Sequence, residues 1–344
     1  MQYYNYGRKK RRANRLLLGE FMYPILELGF IRIPMYTVMI GVGAVAFLLV
    51  MYCILWRKER ITSATFIRLF LVCLPGAAML YLSAWLFNGI FHSIEEGELT
   101  FGGITWLGGV FGAFPFMVYL IHKFVPAAKG NAITYFSLLI PGIVIAHGFG
   151  RLGCFFAGCC YGSVTDSIFG VSFPAGSHAA HQYPGGPFDG SLPVLPTQLF
   201  EAVFELILFI IMIATYKKSR KHNIEIYFYT YGLFRFLMEF IRGDDRGGTG
   251  FFLTPAQLLC VIMWIAATLL ILFKKNIIFK KLHRQCEVWQ AEVKVEAKKK
   301  RKEFGVKSSI GAMDALRELK GLYDDGIINE EEYEAKKAKL MQEI

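Results

Sequence analysis

The sequence predicts an all-α polytopic membrane protein: about seven transmembrane helices, a re-entrant glycine-rich segment, and a small two-helix appendage on the cytoplasmic side. Three observations predict it. Of 344 residues, 54% are hydrophobic and 19% charged, with mean hydropathy +0.40, too little charge for a water-facing domain of this size. Apolar runs recur at roughly 17–25 residues, the length that crosses a bilayer core. The segments between them alternate in charge, as the positive-inside bias requires. In hydrocarbon only helices and closed barrels satisfy every backbone group, and runs of this length read as helices.

In chain order, residues 1–21 form a basic tail. GRKKRRANR (7–15) should stay cytoplasmic by its charge, against the polarity of every later segment. Two explanations stand: a tail that touches anionic lipid, or an extension ahead of a natural start at Met22, because Gly19-Glu20 is encodable by a purine-rich ribosome-binding sequence. No cleavable signal peptide is expected, since the apolar stretch from Tyr36 is long and lacks a small-residue cleavage pattern.

Residues 22–282 form the membrane domain, with spans expected near 37–55, 66–90, 104–122, 132–150, 198–216, 226–241 and 254–273. The sixth is short and interrupted by charge. WRKER (56–60), KFVPAAK (123–129), KKSRKH (217–222) and KKNIIFKK (274–281) are basic, whereas FHSIEEGEL (91–99) is acidic. The long 163–197 loop carries only Asp166 and Asp189 as charges. Basic loops and the C-terminus are therefore expected in the cytoplasm, and the N-terminus and the 163–197 loop outside. This bias accounts for most of the net charge of +11, so nucleic acid is not an expected partner.

Residues 283–309 read as a charged linker and 310–344 as a helical hairpin. Met313, Leu316, Leu319 and Leu322 repeat at helical spacing, DDG ends the first helix with Gly326 suited to a left-handed cap, and Asn329 with Glu332 forms a capping box for the second. The run resembles the short C-terminal (SHOCT) domain, which implies docking or self-association and no chemistry.

Charged groups inside spans are costly and point to function. In YGLFRFLMEFIR, Tyr231, Arg235, Glu239 and Arg242 fall on one helical stripe. In PTQLFEAVFE, Gln198, Glu201 and Glu205 share another face, and Arg151 stands at the outer end of the fourth span. A structural network that holds helices together is the competing reading for any one pair. Three arginines against three glutamates near one leaflet favour a site for a phosphate-bearing lipid, because the planar guanidinium fork matches phosphate oxygens. The glycines of GFGRLGCFFAGCCYG (148–162) are expected to break the helix there and line a pocket for the headgroup.

MYPILELGFIRIPMYTVMIGVG, TWLGGVFG, GRLGCFFAGCCYG, LPTQLFE, YGLFRFLMEFIR and TPAQLL, in this order over roughly 22–275, make the chain resemble prolipoprotein diacylglyceryl transferase. The resemblance implies a bacterial plasma-membrane enzyme that moves diacylglycerol from phosphatidylglycerol to the lipobox cysteine of a secreted prolipoprotein, forming a thioether and releasing glycerol phosphate. It implies catalytic roles for Arg235, Tyr231, Glu239 and Tyr36. It implies substrate binding by Arg151, Gly153, Gly162, Gln198, Glu201 and Arg242. Its partners would be the two substrates and the bilayer.

This chain also departs from the family pattern. Leu107 stands where H-G-G carries a histidine, and Cys154, Ala157, Cys159 and Leu195 replace the signature's polar residues. With Leu107 unable to take a proton, His147, one turn before Arg151, and Glu239 are the candidate bases. Cys154, Cys159 and Cys160 fit no common zinc spacing, and an adjacent pair is awkward for one tetrahedral ion. They read as small residues packing a turn, or as a redox-active pair, and neither metal nor other cofactor is expected. His178 and His181 read as solvent-facing, and their loop as a cover for the pocket. The alternative function is a non-catalytic lipid-binding scaffold, or a related lipid transferase with a different acceptor.

Overall fold

The chain's described part opens with alternating apolar and charged residues, ILEL and IRIP, which is the period-2 pattern of strands. They pair as an antiparallel hairpin, β1 (Ile25–Leu28) and β2 (Ile31–Pro34), with Leu26 opposite Ile33 and an exposed Arg32–Glu27 pair at 3.1 Å. The structure, a computed structural model, describes residues 25–28, 31–244, 249, 252–275 and 312–341. The expectations for the tail 1–21 and the linker 283–309 lie outside the described residues.

Helices follow where apolar runs were expected. These are α1 (Met35–Met51), continued as a π-helical stretch to Lys58, then α2 (Ser63–Glu96), α3 (Trp106–Phe124) and α4 (Ala132–Ala157). A short α5 (His178–Gln182) lies in the long loop. Then come α6 (Thr197–Ala214), the single turn α7 (Tyr216–Ser219), α8 (Asn223–Met238) and α9 (Pro255–Lys274). Their ends obey local chemistry. Thr62 caps α2 by accepting from the Thr65 N–H, Gly97 ends it in the left-handed region, and Thr254 with Gln257 forms a capping box on α9.

Six of these helices are long and apolar enough to cross a membrane; α8, at 16 residues, is shorter. It packs instead on α9 and α4. Leu71, Leu74 and Leu82 of α2 and Leu49 of α1 are exposed, an apolar surface that hydrocarbon covers. By contrast α4 is the most enclosed helix, packed between α1 and α6. That contact needs small residues: a Cβ at Gly43 would stand 2.9 Å from the Ala146 carbonyl oxygen, and one at Gly153 3.1 Å from the Tyr36 ring.

The glycine-rich segment does not re-enter. Helix α4 runs through Gly148, Gly150 and Gly153 without a break and turns only at Gly158, where φ is +63°. Gly148 and Gly153 there serve close helix packing, so the intrahelical hydrogen bonds persist. After Gly158, residues 159–196 fold as a cap with its own core of Phe155, Tyr161, Val171, Phe173, Ala179 and Val194. Val194 bridges both Val164 and Val171.

At the opposite end, Glu59 accepts from Tyr216 and Arg220 at 2.5 Å each, and Lys274 pairs with Glu225 at 2.6 Å. Here the C-terminal hairpin docks. Helices α10 (Ala312–Asp324) and α11 (Glu330–Met341) close on Leu319 and Ile328, with Asn329 and Glu332 exchanging capping bonds and Gly326 left-handed, as expected from the sequence. Asp324 lies 3.7 Å from Arg60, and a Cβ on Gly321 would stand 3.0 Å from Thr62.

Candidate active site

Three helices supply one buried polar chain. On α6, Gln198, Glu201 and Glu205 sit at i, i+3 and i+7, and all three are buried. On α4, His147 and Arg151 are one turn apart and face them. On α8, Tyr231 and Arg235 complete the ring. Arg151 holds Glu201 Oε1 through Nη2 at 2.9 Å and donates from Nε to His147 Nε2 at 3.2 Å. Tyr231 donates to the same Glu201 oxygen at 2.7 Å.

This pattern fixes the histidine tautomer. An arginine Nε–H only donates, so Nε2 of His147 accepts and its proton sits on Nδ1, which donates to Glu205 Oε1 at 2.6 Å. Both ring nitrogens are therefore engaged. The imidazole is clamped further by Trp106, stacked at 4.1 Å and 11°, and by the edge of Tyr231 at 5.2 Å. Trp106 is itself held by its indole N–H to the Tyr227 hydroxyl at 3.0 Å.

Arg151 and Arg235 line one narrow cleft, with Trp106, Leu107 and Tyr231 in its wall and Pro255 at the start of α9. Arg235 pairs with Glu239 at 2.5 Å. Two guanidinium groups from different helices thus meet one space, each backed by a carboxylate that sets its orientation. A site of this kind stabilises an anion without reorganising when charge develops. Leu107 is 2% exposed and brings no proton acceptor to the wall.

Other expected site residues are placed elsewhere. Arg242 leaves the α8 stripe, because the helix tightens into a 3₁₀ turn at Glu239–Ile241 and Arg242 is extended. It forms a bidentate pair with Asp244, at 2.8 and 2.7 Å. Gly162 bridges Arg242 and packs where a Cβ would meet the Ile241 carbonyl oxygen at 2.7 Å. Gln198 donates to the Cys159 carbonyl at 2.6 Å, fastening the cap to α6. Tyr36 covers Gly153 at the α1–α4 contact, beside the three cysteines and Arg151. Trp106, Tyr227 and Asp244 had no sequence signal as site neighbours, since Trp106 and Tyr227 meet across 121 residues of chain.

The chain is similar to known proteins over most of its length. The family model for prolipoprotein diacylglyceryl transferase matches residues 24–273, and that for the short C-terminal domain matches 314–341. The chain is 31% identical over 267 residues to phosphatidylglycerol–prolipoprotein diacylglyceryl transferase 2 of Clostridium perfringens, covering 74% of this chain and 94% of that protein. Similar relatives are the phosphatidylglycerol–prolipoprotein diacylglyceryl transferases of Clostridium tetani, 31% identical over 50% of this chain and 64% of that protein, and of Geobacter sulfurreducens, 32% over 45% and 54%. With 250 of its residues spanned by one family model (24 to 273) and the arginine cleft lying inside that range, the chain belongs to the prolipoprotein diacylglyceryl transferase family.

Proposed function

We propose that the chain is a multi-pass bacterial membrane enzyme that transfers the diacylglyceryl group of phosphatidylglycerol to the lipobox cysteine thiol of a prolipoprotein, within the cleft between Arg151 and Arg235. The convergence of these two arginines on one cleft carries the proposal. The acceptor sulfur attacks the glycerol carbon that bears the phosphate. A carbon–sulfur bond forms, the carbon–oxygen bond breaks, and the electron pair leaves on the phosphate as glycerol phosphate. The two guanidinium groups bind the phosphate and the charge that grows on it. Glu201 and Tyr231 hold Arg151 in register; Gln198, Gly162 and Arg242 hold the cap that closes over the site, and Tyr36 with Gly153 fixes α1 beside it.

A free thiol has a pKa of about 8.5, so little of it is thiolate at neutral pH. Because both nitrogens of His147 are engaged, its part is to position Arg151, and the thiol proton passes to Glu239. The basic end, with the hairpin at 310–344, faces the cytoplasm; the N-terminus and the cap face outward, where secreted precursors arrive. The membrane domain spans 22–282, behind the tail 1–21 and ahead of the linker 283–309, and the hairpin is a docking or self-association element. Leu107 in the cleft wall favours one second reading, a lipid binder without turnover.

Incubating the full chain with phosphatidylglycerol and a lipobox peptide separates the two. A peptide mass gain of one diacylglyceryl group is expected, and lipid binding without any mass gain overturns the enzyme.

A further inference from the structure

The three cysteines at the end of α4 read in the sequence as residues packing a turn or as a redox-active pair, with adjacent Cys159 and Cys160 awkward for one tetrahedral ion. The backbone removes that objection. Cys160 takes a left-handed φ of +62°, two residues after Gly158 at +63°, a conformation that L residues rarely adopt. It turns the adjacent pair back toward the helix, and the Sγ atoms of Cys154, Cys159 and Cys160 all lie within 4.8 Å of one another. None of the three is joined in a disulfide, and Cys159 and Cys160 are partly exposed.

The turn is also pinned from outside. The carbonyls of Cys159 and Cys160 each accept a 2.6 Å hydrogen bond, from Gln198 Nε2 and Thr197 Oγ1, and both donors are fully buried on α6. The strained turn is therefore held by its neighbours, as at sites where the conformation serves a ligand. Three thiolates around one point are the donor set of thiophilic d10 ions. Zinc–sulfur bonds of about 2.3 Å put tetrahedral thiolates roughly 3.8 Å apart, so the sulfurs need close by about 1 Å at most. Arg151 lies within electrostatic reach of Cys154 and Cys160 and offsets the surplus negative charge of three thiolates on one ion.

We infer that Cys154, Cys159 and Cys160 form a three-thiolate site for a thiophilic d10 metal ion, Zn(II) or Cu(I), with a coordination position left open. Binding releases the thiol protons and ties the end of α4 to the turn that bears the cap. The inference stands apart from the transfer reaction and is read without it.

The test uses the full chain, purified in detergent under reducing, metal-free conditions and titrated with Co(II). The expected result is one cobalt per chain with ultraviolet thiolate-to-cobalt charge transfer, abolished by equimolar Zn(II) or, anaerobically, by Cu(I); which ion displaces at lower concentration identifies the preferred metal. Cys154→Ser, Cys159→Ser and Cys160→Ser should each lose the band, whereas Cys73→Ser retains it. The native chain gives a second reading whether or not those variants fold: bound Zn(II) should protect these three thiols from maleimide while exposed Cys53 still reacts. Absence of the charge-transfer band, equal labelling with and without Zn(II), or a disulfide joining two of the three in unreduced protein overturns the inference.

Discussion

Replacing Arg151 with lysine keeps a buried positive charge and removes the fork. The guanidinium makes two contacts in different directions, Nη2 to Glu201 at 2.9 Å and Nε to His147 at 3.2 Å, while lining the cleft. A lysine has one nitrogen, which satisfies Glu201 and leaves His147 Nε2 and the phosphate without their planar donors. Hydrogen bonds to charged groups are worth about 1.5–3 kcal/mol each. The His147 bond is lost from the folded protein, so it lowers stability. The phosphate bond exists only with substrate, so its loss appears in kcat/KM as a decrease of about 10- to 150-fold. Alanine is the poorer probe, because it strands Glu201 as a buried charge, at a cost of about 3–5 kcal/mol in stability. Initial rates of peptide diacylglycerylation in mixed micelles of phosphatidylglycerol, beside thermal unfolding of the same samples, give both numbers. A lysine variant with kcat/KM unchanged would refute the reasoning.

Further expectations concern neighbouring parts. His147→Gln should reduce kcat while its kcat/KM–pH profile keeps the wild-type shape, since the imidazole positions Arg151; disappearance of the acidic limb would make it the base. Gly43→Ala should lower stability by about 1–3 kcal/mol in thermal unfolding, through the 2.9 Å clash with the Ala146 carbonyl. At the opposite end, Gly321→Leu should undock the hairpin from Thr62, seen as faster proteolysis of residues 312–341, while transfer in micelles is unchanged. Docking should also respond to pH. Partial withdrawal from water, and then Asp324 beside it, push the Asp325 carboxyl from 3.8 up to about 6. A value raised in the docked state favours docking when the group is neutral. Protection from hydrogen exchange should thus be greatest below 3.8 and fall as pH rises through about 6, and Asp325→Asn should flatten the response.

Much of the fold was legible because lipid imposes a simple rule on sequence. Apolar runs of span length marked the helices, and the α6 face of Gln198, Glu201 and Glu205 turned wholly inward because hydrocarbon tolerates none of them outside. The capping box at Asn329 and the left-handed Gly326 were equally plain, being local. What stayed hidden is nonlocal or conformational. Glycines at 148, 150 and 153 read as a break, yet α4 runs through all three, and Gly148 and Gly153 are packing sites, since glycine permits both. Arg242 kept helical spacing with Arg235, but the helix tightened at Glu239 and sent it to Asp244. The Trp106–Tyr227 clamp and the φ of Cys160 carry no motif, and with them went the polar chain through His147 and the convergence of three thiols.

The central claim is that Arg151 and Arg235 together hold one phospholipid phosphate. A cryo-electron-microscopy structure of the full chain in phosphatidylglycerol nanodiscs tests it most directly. The account predicts headgroup phosphate density in the cleft beside Trp106 and Leu107, within hydrogen-bond reach of both guanidinium groups. A headgroup bound elsewhere, with Arg151 still engaged by Glu201 and His147 and Arg235 by Glu239, would contradict it.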